Sequence, residues 1–148
     1  MKKFSFQLEP VLKYKGDILE VLKNEHSMAL KDVVEQETVI QNLENEKKAF
    51  LFEFNEKKKN AMTVMEAGIY ERYLQKQNAI ISSENNKLKE LQFKEAKKRE
   101  KMIEAKKEKL SIEKLKEIKV EQYKKAVQKE NELFIEEFVS NAKTREQK

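Results

Sequence analysis

Few side chains in this sequence are of a type that does chemistry. His26 is the only histidine, and cysteine is absent. A lone imidazole among Lys23, Glu25 and Ser27 reads as a solvated surface group, without the partner a general base needs. Absence of cysteine excludes disulfides and thiolate metal sites, and suits a reducing compartment. A metal site would have to be built from carboxylates alone, and these are dispersed among lysines. There is no glycine-rich phosphate loop and no nucleophile elbow. No catalytic residue, cofactor or small-molecule substrate is expected.

Charge and aromatic rings offer binding instead. The tract Lys94–Lys125 carries a net charge of about +6 by counting its side chains. An acidic protein surface or a phosphate backbone would suit it, and so would plain solvation of a helix face. Aromatic rings are not interleaved with these lysines as single-strand stacking requires, so nucleic acid is the weaker reading. Phe50, Phe52, Phe54, Tyr70 and Tyr73 gather near the middle of the chain. Phe50 and Phe54 have core spacing. Phe52 falls on another face, and an exposed aromatic patch would make a protein hot spot.

The elements that position these residues are helical. Of 148 residues, 40% are charged, two are glycine and one is proline, which leaves too few turns for most sheet folds. The expected fold is all-α: an antiparallel two-helix coiled coil, a long helical hairpin forming one domain over residues 1–148, with helix 2 longer than helix 1. One continuous helix in an oligomeric coiled coil is the alternative. The break is expected within about residues 60–70, where Gly68 tolerates unusual backbone angles and Thr63 and Val64 weaken helix preference. Helix 1 is expected over about 7–60, with Ser5 or Gln7 near its cap and Pro10 in its first turn. Helix 2 is expected over about 70–142.

Apolar residues recur at heptad-like spacing. The first stripe reads Leu8, Val11, Ile18, Leu22 and Ala29, with Lys15 and Glu25 also on it. It resumes after one extra residue as Val33, Ile40, Leu43, Phe50 and Phe54, an offset that resembles a stutter. Helix 2 offers Tyr73 or Leu74, Ile80 or Ile81, then Leu88 and Leu91, and after a charged tract Leu110, Ile112, Leu115, Ile118, Tyr123 and Val127. If Phe54 faces Tyr73, then Leu22 lies near Ala105 and Leu12 opposite Leu115. Helix 2 should then overhang by about 20 residues, roughly 30 Å, carrying Leu133, Phe134, Ile135, Phe138 and Val139. So much apolar surface on a lone helix should bind something or fray. Gly16 either admits a close approach or is simply tolerated.

Met1-Lys2-Lys3 lacks the apolar run of a signal peptide behind it, and no stretch approaches the ~20 apolar residues of a membrane span. A soluble, cytoplasmic protein is expected. The net charge of +5 suits an acidic protein, an anionic membrane surface or nucleic acid alike.

The opening Phe4-Ser-Phe6-Gln-Leu8-Glu-Pro-Val11-Leu12-Lys-Tyr-Lys15 resembles the start of flagellar export proteins of the FliJ family. The length, the two-helix layout and the break at Gly68-Ile69 followed by Tyr73-Leu74 are similar to that family too. The resemblance implies a coiled-coil stalk like the central stalk of rotary ATPases. Its open end would enter the flagellar export ATPase hexamer, and a region nearer the turn would touch the cytoplasmic part of the export gate. Escort of export chaperones and peripheral association with the inner face of the cell membrane are implied as well. The gate contact maps onto Leu43, Phe50, Tyr73 and Ile80. The sequence departs from the family pattern at Glu46, Gln77 and Glu84, where aromatic, apolar and histidine side chains are expected. The ATPase contact maps onto Phe4, Phe6, Leu8, Val11 and Leu12, with Leu133, Phe134 and Phe138 of the overhang. The stalk of a virulence-type secretion system would have the same shape, and a basic coiled coil binding nucleic acid is the alternative of another class.

Overall fold

The computed structural model describes residues 2–147. Two helices account for nearly all of them, α1 over Glu9–Lys59 and α2 over Val64–Glu146. No strand occurs among the described residues. The chain is therefore an all-α helical hairpin with the longer helix second, not one continuous helix. It divides into two compact units. One is Val21–Ile103 and contains the reversal; the other joins the chain up to Glu20 with the chain from Glu104 onward.

The reversal occupies only residues 60–63, and α2 begins at Val64 rather than near residue 70. Lysines 57 to 59 fill the last turn of α1, where the helix dipole favours cations. Asn60 N–H still reaches the Lys57 carbonyl, at 3.2 Å. Ala61 then turns the chain with φ of 67°. Thr63 caps α2: its hydroxyl accepts the Glu66 N–H at 3.2 Å, and its carbonyl accepts the Ala67 N–H at 3.0 Å. Thr63-Val64-Met65-Glu66 has the capping-box spacing. Gly68 is not the breaker. It is helical, no glycine has positive φ, and nothing lies within 4 Å of where its Cβ would be. The left-handed position belongs to Ala61, whose Cβ makes that conformation cost about 1–2 kcal/mol. Ala61→Gly is accordingly expected to stabilise the hairpin by about 1 kcal/mol, read as a higher urea midpoint at unchanged slope.

At the other end, α1 starts at Glu9, two residues later than the expected start. Glu9 N–H bonds the Phe6 carbonyl at 3.1 Å and Leu12 N–H bonds that of Leu8 at 2.8 Å. Pro10 lies in the first turn, where its missing N–H costs nothing.

The inward face of α1 runs through Leu12, Lys15, Leu19, Leu22, His26, Ala29, Val33, Gln36, Ile40, Leu43, Lys47, Phe50 and Phe54, all buried or half-buried. These alternate three and four apart without interruption, so there is no stutter. The expected stripe was out of phase only ahead of Ala29, where the seam runs through Leu12, Leu19 and His26 rather than Val11, Ile18 and Glu25. Doublets such as Val11-Leu12 and Ile18-Leu19 then left the phase open, and it is Leu19, 5% exposed, that is buried. On α2 the same spacing runs from Tyr70 through Leu74, Gln77, Ile81, Glu84, Leu88 and Leu91. It settles the two paired choices on Leu74 and Ile81. Further along, Leu110, Leu115 and Ile118 are exposed, while Ile112, Lys116 and Val120 turn inward.

Candidate partner-binding surfaces

Within Val21–Ile103, four aromatic rings pack beside the reversal. Phe50 lies 4.2 Å from Tyr73 and 5.0 Å from Tyr70, centroid to centroid. Phe54 stacks on Tyr70 at 5.0 Å with planes 12° apart, and the Lys58 ammonium sits 4.0 Å over the Phe54 ring. Tyr73 thus pairs with Phe50, and Phe54 with Tyr70. This is about one helical turn away from the expected Phe54–Tyr73 pairing. The shift follows from the reversal. A turn centred between Ala61 and Met62 fixes which residues meet, and the broader break assumed around residues 60–70 centres later.

The four residues mapped to the gate contact have separate surroundings. Phe50 and Leu43 are half-buried in the seam, while Tyr73 is 45% and Ile80 40% exposed. Among the described residues Phe50 and Tyr73 touch ring to ring. Phe52 is exposed, as its phase requires.

The polar residues of this unit face each other across the seam. Gln36 Nε2 donates to the Glu84 carbonyl at 3.0 Å and also to the Glu84 carboxylate. His26 Nε2 lies 2.8 Å from Glu95 Oε1. Its side chain is only 16% exposed, so it is not the solvated group its neighbours in sequence implied. The Lys98 ammonium meets Glu25 at 3.1 Å. Gln77 is as deeply buried as Gln36. Of the three positions that depart from the family pattern, Gln77 and Glu84 lie on the seam and Glu46 is exposed. No buried side-chain nitrogen or oxygen among the described residues lacks a partner. Polar layers of this kind cost stability and fix which residues pair. Gln36→Leu alone strips Glu84 of its donor and is expected to destabilise by about 1–2 kcal/mol. Gln36→Leu with Glu84→Leu should be neutral or stabilising by comparison, measured by urea unfolding of both variants. The signal for this layer was the polar residue at each skipped heptad position.

The second unit gathers the other mapped residues into two groups. Ahead of α1, Phe4 packs on Tyr123, with centroids 5.6 Å apart, and the Tyr123 hydroxyl donates to the Lys2 carbonyl at 2.6 Å. Phe4, Phe6 and Leu8 line a hollow of about 500 Å³ with Leu115 and Tyr123. Leu12 is half-buried and Val11 is 39% exposed. Ion pairs flank this region: Lys116 with Glu9 and Lys15 with Glu108, each at 2.8 Å. The hydrogen bond and charge of Glu108 raise the Lys15 pKa above its ordinary 10.5. This contribution is complete below that value and fades only as pH rises past it. Gly16 is tolerated, since a Cβ there would meet only the end of Lys109, at 3.8 Å.

Leu133, Phe134 and Phe138 form the second group, apart from the first. Residues 128–147 are exposed throughout. Phe134 and Phe138 are each 69% exposed, with Ile135 at 60%. Among the described residues no aromatic ring packs on Phe134 or Phe138.

No cluster of three or more metal-ligating groups occurs among the described residues, and no described helix is long and apolar enough to cross a membrane. The fold defines the class first: an all-α hairpin with apolar side chains exposed along both helices, those beside the reversal and in the final turns of α2 among them. A family model described as "Flagellar FliJ protein" matches residues 4–148, nearly the whole chain. The chain belongs to the flagellar FliJ family, and so to the proteins associated with flagellar export and flagellum biogenesis. No curated protein and no solved structure matches it.

Proposed function

We propose that this chain is the coiled-coil stalk of the flagellar export apparatus. It binds the hexameric export ATPase, links it to the cytoplasmic part of the export gate, and escorts export chaperones at the inner face of the membrane. The observation that carries this reading is the bare apolar end of α2. Leu133, Phe134 and Phe138 keep their side chains in water on the stretch of α2, residues 128–147, that is exposed throughout. Exposed apolar patches of that kind mark interaction sites. Phe4, Phe6, Leu8, Val11 and Leu12 supply the second half of the ATPase contact. Leu43, Phe50, Tyr73 and Ile80 form the gate contact, where Tyr73 and Ile80 meet the partner and Phe50 and Leu43 support them from the seam. Hydrolysis belongs to the ATPase; the hairpin biases ring assembly.

The test adds the purified protein to the export ATPase and follows hexamer formation and ATP turnover together. Both should rise with added protein and saturate. Assembly and turnover left unchanged would refute the proposal.

A further inference from the structure

The reversal itself is used by none of these contacts. Lys57–Met65 contains three lysines and no carboxylate. Val64 is 92% exposed and Met65 77%, the highest values among the exposed large hydrophobics. Ile69, one turn on, is 57% exposed. The carboxylates that answer these lysines lie behind the tip. Glu53 is 3.6 Å from Lys57 and Glu56 is 3.4 Å from Lys59, while Lys58 lies over the Phe54 ring and Lys57 also over that of Tyr70. Exposed pairs at this spacing are weak and yield to a denser anionic surface.

We propose that this tip contacts the anionic surface of a lipid bilayer. Lysine side chains can run their stems along an apolar surface and hold their ammonium groups among phosphates. Val64 and Met65 would enter the boundary between headgroup and acyl chain, as apolar side chains beside a basic cluster do. Successive helical positions point about 100° apart, so the two side chains splay. A fluid interface takes splayed chains that a single protein groove does not. The apolar end of α2 is unlike the tip, because three carboxylates, Glu132, Glu136 and Glu137, accompany it where Glu66 alone adjoins Val64 and Met65, and an anionic bilayer repels them. The inference stands apart from the stalk reading, since it needs no partner protein.

The chain has no cysteine, so one can be introduced at Asn60→Cys and labelled with an environment-sensitive fluorophore. The full-length protein is mixed with phosphatidylcholine vesicles containing about 30% phosphatidylglycerol, and with vesicles of phosphatidylcholine alone. Emission should shift to the blue on the anionic vesicles only, and high salt should reverse the shift. Lys57→Gln, Lys58→Gln and Lys59→Gln together should weaken partitioning at least about tenfold, with helicity unchanged by circular dichroism. A label at Asn131→Cys should stay silent. The proposal is overturned by a silent Asn60 label, by an equal shift on neutral vesicles, or by a shift indifferent to the lysines. A tip label that ignores vesicles but responds to the gate's cytoplasmic region would make this a protein contact and overturn it equally.

Discussion

Phe54→Ala is expected to destabilise the hairpin by about 3–5 kcal/mol, the cost of deleting a buried phenylalanine. Phe54 is 4% exposed, the most deeply buried side chain of the core. It also stacks on Tyr70 and carries the Lys58 ammonium over its ring, and ring pairs add about 0.5–1.5 kcal/mol beyond buried area. A two-helix seam has no second layer to collapse into the space left behind. Set against a total stability of about 5–15 kcal/mol, the loss should lower the melting temperature by about 10 °C or more. Phe52→Ala is the matched control. Its ring is 69% exposed, and its removal should change stability by no more than about 0.5 kcal/mol. Thermal and urea unfolding followed by circular dichroism compare the two. Equal effects would mean that the inward face runs through Phe52, contrary to the register described above.

The second large effect is on binding. Replacing Leu133, Phe134 and Phe138 together by alanine should leave melting within about 0.5 kcal/mol, because these side chains touch little else and alanine keeps helix propensity. Affinity for the export ATPase should fall by at least about 4 kcal/mol, roughly a thousandfold, if two of the three are hot-spot residues. Titration calorimetry measures the difference directly. Phe4→Ala reports a mixed effect by contrast, since Phe4 also packs on Tyr123. Unchanged affinity in the triple variant would remove the end of α2 from the ATPase contact.

The hairpin was legible in composition and period, and its register was not. Few glycines and one proline left one place for the chain to turn, and long charged segments with apolar residues three and four apart left little but paired helices. The phase ahead of Ala29 was hidden by the doublets Val11-Leu12 and Ile18-Leu19 and by His26, which reads as a surface residue by type yet is a seam residue paired with Glu95. The turn was hidden in the opposite way. Gly68 drew the break toward itself, although glycine marks a turn only where the backbone needs its freedom. Ala61 takes the left-handed angle, and the capping box at Thr63–Glu66 was the better signal. The aromatic patch was half legible. The core spacing of Phe50 and Phe54 was legible, and both pack on Tyr70 and Tyr73 within the chain, while their exact partners were not. Nothing local to Leu133, Phe134 or Phe138 shows that they are uncovered. That follows from the different lengths of the two helices.

The chain doubles back within one molecule at residues 60–63. The most direct test places spin labels at Met28→Cys and Phe93→Cys, two exposed positions near the His26–Glu95 pair, and measures their separation with excess unlabelled protein present. Paired helices with axes 8–10 Å apart predict a label distance of about 20–30 Å. A distance near 100 Å, as one unbroken helix would give at about 1.5 Å per residue, or a short distance that vanishes on dilution with unlabelled chains, would contradict it.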